Sequence, residues 1–196
     1  MRRPFRRTRA GVRVQLGEPE RALLARLLGD VEGLLVQDAA ERDAAERGPA
    51  GTGAHPASDE DVLAALEASL APPPPADPAV ARLLPDGNRD DADLAAGYRR
   101  LTEHGLRERK RAGLERAGSA LTRPEPVLLD DAEALALLKG LTDVRLVLAE
   151  RLGLHTDEDA EQLHASAAGP ADPRAAAAAL YDALTWWQES LVAVLR

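Results

Sequence analysis

The residue types that carry chemistry are few in this sequence, and their spacing does not suit catalysis. The four histidines, His55, His104, His155 and His164, stand far apart. None belongs to a His-Glu-x-x-His pair, a facial triad or a Ser/His/Asp arrangement, so neither a metal centre nor a nucleophile with its base can be written. Cysteine is absent. That removes disulfides, thiolate nucleophiles, cysteine-ligated zinc and thiol redox sensing. Carboxylates gather at Asp59–Asp61, at Asp90, Asp91 and Asp93, and at Asp157–Asp159. Acid–base work would need one of them buried so that its pKa rises. All three clusters sit where helices should begin, and acids there face the positive end of the helix dipole, so capping is the better reading. Gly51-Thr52-Gly53 lacks the lysine of a phosphate loop. No catalytic, metal or cofactor-binding residue is expected, and the chain reads as non-enzymatic.

Arginine is the chemically interesting residue. It outnumbers lysine 23 to 2. The net charge of −8 is unevenly spread, with +6 in residues 1–16, +4 in residues 99–116 and the balance of −18 elsewhere. Such asymmetry serves an acidic partner or folds back onto the chain's own acids. Arg2, Arg3, Arg6 and Arg7 are the candidate nucleic-acid-binding residues, because a two-stranded ribbon bearing arginines can grip phosphates. Phe5 is the only aromatic among them, so base stacking would be meagre. The basic stretch 99–116 offers a second such surface, and solvated or internally paired arginines are the plainer alternative. Trp186 is the other candidate contact. It neighbours Trp187, and on a helix the two side chains diverge by about 100°. Trp187 falls on an apolar stripe, whereas Trp186 shares a face with Asp182, Ala183, Ser190 and Ala193, which suits a hot spot for a second chain or a cover provided by the N-terminal hairpin.

These residues must be positioned by helices. Alanine (39) and leucine (32) dominate the apolar residues and isoleucine is missing, a composition that favours helix over strand. Asp131–Leu152 carries Leu137, Leu141, Val144, Leu148 and Leu152; Arg174–Leu195 carries Leu180, Leu184, Trp187, Leu191 and Leu195. The two series share the same steps of four, three, four and four, which put five side chains on one helical face. Two equal stripes can cover each other from end to end. The expected fold is mainly α, a helical bundle in one regulatory domain over residues 1–196, with linkers at 48–57 and 71–77.

Taken in order, Arg3–Thr8 and Val12–Leu16 predict a β-hairpin, since Val12, Val14 and Leu16 alternate with polar residues. Glu18–Arg47 predicts a helix with Leu24, Leu27, Leu28, Val31, Leu34 and Leu35 inside. The DAAER repeats at its far end space Asp38 and Arg42, and Asp43 and Arg47, for modest surface pairs on a solvated tip. Ser58 opens a short helix to Leu70, and Asp77–Pro78 opens another that stops before Pro85. A helix from about 90 to 117 follows, with Leu94, Tyr98, Leu101, Leu106 and Leu114 as its apolar positions. Val127–Leu129 is a candidate third strand. Asp130 with Glu133 forms a capping box for the first striped helix, which Gly153 ends. Thr156 with Asp159 starts a weak helix to about 167. No run is long and apolar enough to span a bilayer and no secretory signal is evident, so a cytoplasmic location is expected.

RRPFRR at 2–7, ARLLPD at 81–86, DVRLVLAERLG at 143–153 and YDALTWWQESLVAVL at 181–195 together resemble an actinobacterial family of domains of unknown function that includes the oxidative-stress-sensing transcriptional regulator AosR. The similarity covers nearly the whole chain. It implies a cytoplasmic regulator of sulfur and redox genes that works with an extracytoplasmic-function sigma factor and is encoded beside the Clp-protease adaptor. Promoter DNA and a second copy of the chain are further expected partners, and a module tied to Clp-dependent proteolysis is the alternative. Arg145 and Gln188, which fall within the matching motifs, join Trp186 as partner-binding candidates. The family's regulator senses oxidation through a cysteine disulfide, and a chain without cysteine cannot inherit that switch.

Overall fold

The computed structural model describes residues 3–46, 74–87, 91–166 and 173–196. The helix expected at Ser58–Leu70, the 48–57 linker, Arg2, Arg47 and His55 lie outside them. Mainly helical as expected, the chain adds a small sheet: β1 (Phe5–Thr8), β2 (Gly11–Val14), α1 (Glu18–Glu46), α2 (Pro78–Leu83), α3 (Ala92–Leu121), β3 (Leu128–Leu129), α4 (Asp131–Leu152), α5 (Asp157–Ser166) and α6 (Pro173–Leu195). It divides into two compact units, one made of residues 1–33 and 110–196, the other of residues 34–109.

In the first unit the striped helices α4 and α6 pack together. Leu137, Leu141 and Val144 are buried, as are Leu184, Trp187 and Leu191, so the first three positions of the α4 stripe and the centre of the α6 stripe form the core, while Leu148, Leu152, Leu180 and Leu195 are half-buried. The boundaries follow the local chemistry. Asp130 accepts from the Glu133 N–H while Glu133 accepts from the Asp130 N–H, the reciprocal bonds of a capping box. Gly153 closes α4 in the left-handed conformation at φ 70°, which a residue without Cβ adopts readily. Thr156 and Asp159 cap α5 through two mutual hydrogen bonds.

The sheet runs β1-β2-β3, both pairings antiparallel. Phe5, Val12 and Val14 point inward and are buried, and Leu129 joins them. Gly11 makes the close join possible. Its φ is +122°, and a Cβ there would lie 2.2 Å from the Leu129 carbonyl oxygen. Arg21, on the first half of α1, reaches the end of α3 and donates to the carbonyls of Leu121 and Arg123 at 3.4 and 3.1 Å, a positive group placed at the negative end of a helix.

The second unit departs from expectation. Leu94, Tyr98 and Leu101 of α3 are 61, 56 and 78% exposed, while Glu103 and Arg107 on the same helix are buried. The DAAER stretch is likewise only in part a solvated end: Asp43, Ala44 and Ala45 are exposed as expected, but Asp38 is buried and the Arg42 side chain is only 13% exposed. The reason is charge matching. Arg107 donates to Asp38 at 2.7 Å, to Glu103 at 2.8 Å and to the Leu35 carbonyl at 2.8 Å; Arg42 donates to Glu103 at 2.6 Å and lies 3.2 Å from Asp38. Two arginines and two carboxylates thereby close a neutral ring, which removes the main penalty of burying them.

Candidate partner-binding surfaces

The arginines of the sheet are placed by strand alternation. Arg6 and Arg13 stand directly opposite each other across β1 and β2, on the face away from the core. Both are exposed, and among the described residues neither side chain has a hydrogen bond or ion pair. Like charges opposed on adjacent strands repel, so the hairpin holds them in place through its inward side, where Phe5 and Val12 are fully buried. Arg7 behaves differently. Alternation puts it on the same side of the sheet as Phe5, and it donates to Asp131 at 2.6 Å, at the start of α4. That bond and the guanidinium charge hold the Asp131 carboxyl below its usual range.

Beside β1 a cleft of about 400 Å³ opens, lined by Arg3, Phe5, Arg6, Arg7, Gln15, Ala193 and Val194. Among the described residues its polar lining is three guanidiniums and one amide, with no carboxylate. Ala193 is seven residues from Trp186 on α6. Seven residues are about two turns, so both occupy one face of the helix about 10 Å apart. Trp186 retains 38% exposure, whereas Trp187 keeps 3%. The structure thus brings together two features that the sequence presented separately, the basic strand and the outward tryptophan.

Arg145 and Gln188 meet, but elsewhere. Arg145 donates to the Gln188 side-chain oxygen at 2.6 Å and its guanidinium carbon lies 5.2 Å from the centre of the Tyr181 ring. Gln188 donates in turn to Thr142 at 2.9 Å. This chain of bonds ties α4 to α6. Gln188 is about 200° around the helix from Trp186, so the three partner-binding candidates do not form one surface.

The second basic surface expected at 99–116 is turned inward in part, although Arg109 and Arg116 are exposed. Arg99 pairs with Asp86 and Arg107 belongs to the buried ring. Lys110 donates to Asp143 at 2.5 Å. Burial pushes the Asp143 carboxyl up from its ordinary pKa, and the lysine opposes that shift. Of the acids read as caps, Asp91 accepts from the Leu94 N–H at 3.0 Å and Asp159 from the N–H groups of His155 and Thr156; Asp59–Asp61 and Asp90 lie outside the described residues. Among the described residues, no group of three or more histidine or acidic side chains is placed to hold a metal ion. Arg13 and Gln15 were the contributors not singled out from sequence. Their signal was present, since the alternation that buries Val12 and Val14 turns both of them outward.

Fold and surface define the chain as a helical protein with a small basic β-sheet. No helix among the described residues is long and apolar enough to cross a membrane. Residues 2–195 match the model of a domain of unknown function, DUF2017. The chain belongs to that family. Neither the curated proteins nor the solved structures contain a match.

Proposed function

We propose that this chain is a non-enzymatic, cytoplasmic regulatory protein that works by holding a macromolecular partner against its basic strand β1 and the neighbouring face of α6. The observation that carries this reading is the unmatched charge. Arg3 and Arg6 line an acid-free cleft, and Arg13 stands opposite Arg6 with no carboxylate bonded to either. The exposed Trp186 lies on the same helical face as the cleft wall, and an aromatic beside arginines is the usual composition of a binding hot spot. On the resemblance noted from sequence, the partner proposed is a sigma factor of the extracytoplasmic-function type and the process proposed is transcription under oxidative stress. With no cysteine in the chain, the stress signal must arrive by a route other than thiol oxidation of this protein.

Titration calorimetry of the purified chain against a purified sigma factor of that type, and separately against duplex promoter DNA, tests the proposal. Protein binding that weakens about tenfold or more in Arg6→Glu and Trp186→Ala supports it. No binding to the sigma factor, or binding that neither variant alters, overturns it. If DNA alone binds, with affinity falling steeply as salt rises, the partner is nucleic acid and the protein-contact reading fails.

A further inference from the structure

The cleft beside β1 has the composition of a site for a small anion that carries a body. Pro4 and Phe5 are buried and α6 packs against β1, so the strand backbone is covered and held still. What the strand offers outward is side chains. Arg3, Arg6, Arg7 and Gln15 line one hollow of about 400 Å³, and Ala193 and Val194, in the last turn of α6, give it an apolar wall. Among the described residues the side chains of Arg3, Arg6 and Gln15 have no hydrogen bond or ion pair. Arg7 gives only Nη1 to Asp131, and Asp131 does not line the cleft. That bond anchors the guanidinium from outside and leaves Nε and Nη2 for a ligand. Arg13, opposite Arg6 on β2, adds to the positive field without lining the hollow.

Three guanidiniums around one space narrow the choice of ligand. Each presents a planar fork that matches two oxygens of a carboxylate or a phosphate. A carboxylate has one charge and two oxygens, which a single fork satisfies. A phosphate monoester carries about −1.5 to −2 charges and three acceptor oxygens, enough to engage several forks at once. A duplex backbone asks for cations spread along a line of phosphates; here they converge on one hollow. Its volume falls in the range of small-molecule pockets, about 300–1,000 Å³, and inorganic phosphate alone would leave the Ala193–Val194 wall unused. We infer that the cleft binds a small organic phosphate, its phosphate held by Arg3, Arg6 and Arg7 and its body against Gln15, Ala193 and Val194. Once bound, the ligand occupies the arginines that a macromolecular partner needs, so it acts as an effector that releases that partner. A chain without cysteine thereby receives its signal by binding rather than by oxidation. The effector role rests on the partner-binding reading above; binding of the phosphate does not.

The probes are ADP and glucose 6-phosphate, which carry a terminal phosphate on different bodies, titrated calorimetrically into the intact chain at fixed ionic strength. Saturable one-to-one binding of at least one of them is expected, with inorganic phosphate and succinate about tenfold or more weaker. The tighter probe gives the class of the body. Arg3→Gln and Arg6→Gln are each expected to weaken binding about tenfold, because each removes a charge-assisted bond. Arg9→Gln, in the turn and outside the cleft, is expected to stay within about twofold. Backbone amide NMR locates the ligand without a variant, since its shifts should centre on Gln15, Ala193 and Val194. Failure of both probes to saturate, equal binding of succinate, or an equal loss in Arg6→Gln and Arg9→Gln overturns the site. Duplex DNA that binds through Arg3 and Arg6 while neither probe does assigns those arginines to nucleic acid and also overturns it. In a second titration, saturating probe is expected to weaken sigma-factor binding about tenfold; unchanged binding overturns the effector role. If a probe binds and the sigma factor does not, the phosphate site stands and the partner-binding reading falls. If the sigma factor binds and neither probe does, the reverse holds.

Discussion

Arg42 and Arg107 are shut away beside Asp38 and Glu103 in one unit, whereas Arg6 and Arg13 stand in water on the sheet of the other with no acid bonded to them. The residue type is the same, so the surroundings decide its role. A buried guanidinium costs several kcal/mol in lost hydration unless carboxylates and carbonyls replace the water; the ring supplies them at 2.6–2.8 Å. An exposed one stays hydrated and needs no partner to fold. Unmatched arginines at a sheet edge therefore keep their full charge for something outside the chain, while matched ones hold helices in register.

The most disruptive way to break that contrast is to unmatch the ring. Glu103 accepts from both Arg42 and Arg107, so Glu103→Ala leaves two guanidiniums buried with one carboxylate between them. The expected loss is about 3–5 kcal/mol, read from the midpoint of urea unfolding. Replacing all four ring residues together with Leu and Met of similar volume should be near neutral by the same measurement, because the cost lies in leaving a charge unpaired rather than in losing an attraction.

A comparable blow to the sheet comes through its backbone. Gly11→Ala sets a Cβ against the Leu129 carbonyl in a conformation that L residues rarely adopt. A loss of about 2–4 kcal/mol is expected, together with loss of hydrogen-exchange protection in β3. The arginines would remain in the chain but no longer in register, so partner binding should fall with them.

How much of this could be read from the sequence depended on how far the deciding forces reach. Capping boxes, the Gly153 stop and the matched stripes are set by residues within one or two helical turns, and all of them were legible. The hairpin was legible because Val12, Arg13 and Val14 alternate with the period of a strand. The ring was not. Asp38 and Arg42 look like any surface pair at i, i+4 until α3 brings Glu103 and Arg107 against them, a pairing across more than sixty residues. The same absence of long-range information made Leu94, Tyr98 and Leu101 look like core positions. Of the candidate site, the basic strand and Trp186 were visible separately. Their shared helix face was not, because it needed β1 placed beside the end of α6.

Lys110 and Asp143 lie between the two extremes, the lysine side chain 20% exposed and the aspartate 6%. Removing the lysine by Lys110→Met is expected to cost roughly 1–3 kcal/mol near neutral pH. The sign of the pH dependence follows from the raised pKa of Asp143. The folded chain keeps that proton over a range where the unfolded chain has released it. Stability from this group is then greatest below the ordinary carboxylate pKa and declines as pH rises through the raised value. Lys110→Met should steepen that decline and Asp143→Asn should abolish it, as measured by urea unfolding over a pH series.

On the sheet, a single charge reversal should sharpen the contrast rather than damage the fold. Arg13→Glu turns the opposed arginines into an opposite-charge cross-strand pair. Stability is expected to rise by about 0.2–1 kcal/mol, detectable as a small shift in the thermal midpoint. Binding of an acidic partner should weaken at the same time, since Arg6 would now be occupied. A variant that becomes more stable while binding less well is what unmatched, functional charge predicts; one that loses stability would mean Arg13 already has a structural partner.

Arg7 is the exception among the sheet arginines, and it gives the smallest effect. Its bond to Asp131 joins two exposed side chains, 50 and 76% accessible, where water and salt screen most of the attraction. The bond and the guanidinium charge nevertheless hold the Asp131 carboxyl below its usual range. Arg7→Ala should return its titration to the ordinary carboxylate range, as followed by carbon-detected NMR of the side chain. Because the folded pKa is lowered, the contribution of Asp131 is present above the unfolded pKa and disappears as pH falls through the folded one. The variant should therefore lose only the acid-side part of its stability curve that belongs to this pair. An unaltered Asp131 titration would mean that the capping position at the start of α4, and not the arginine, holds the carboxyl down; Arg7 would then join Arg6 and Arg13 as charge available to a partner.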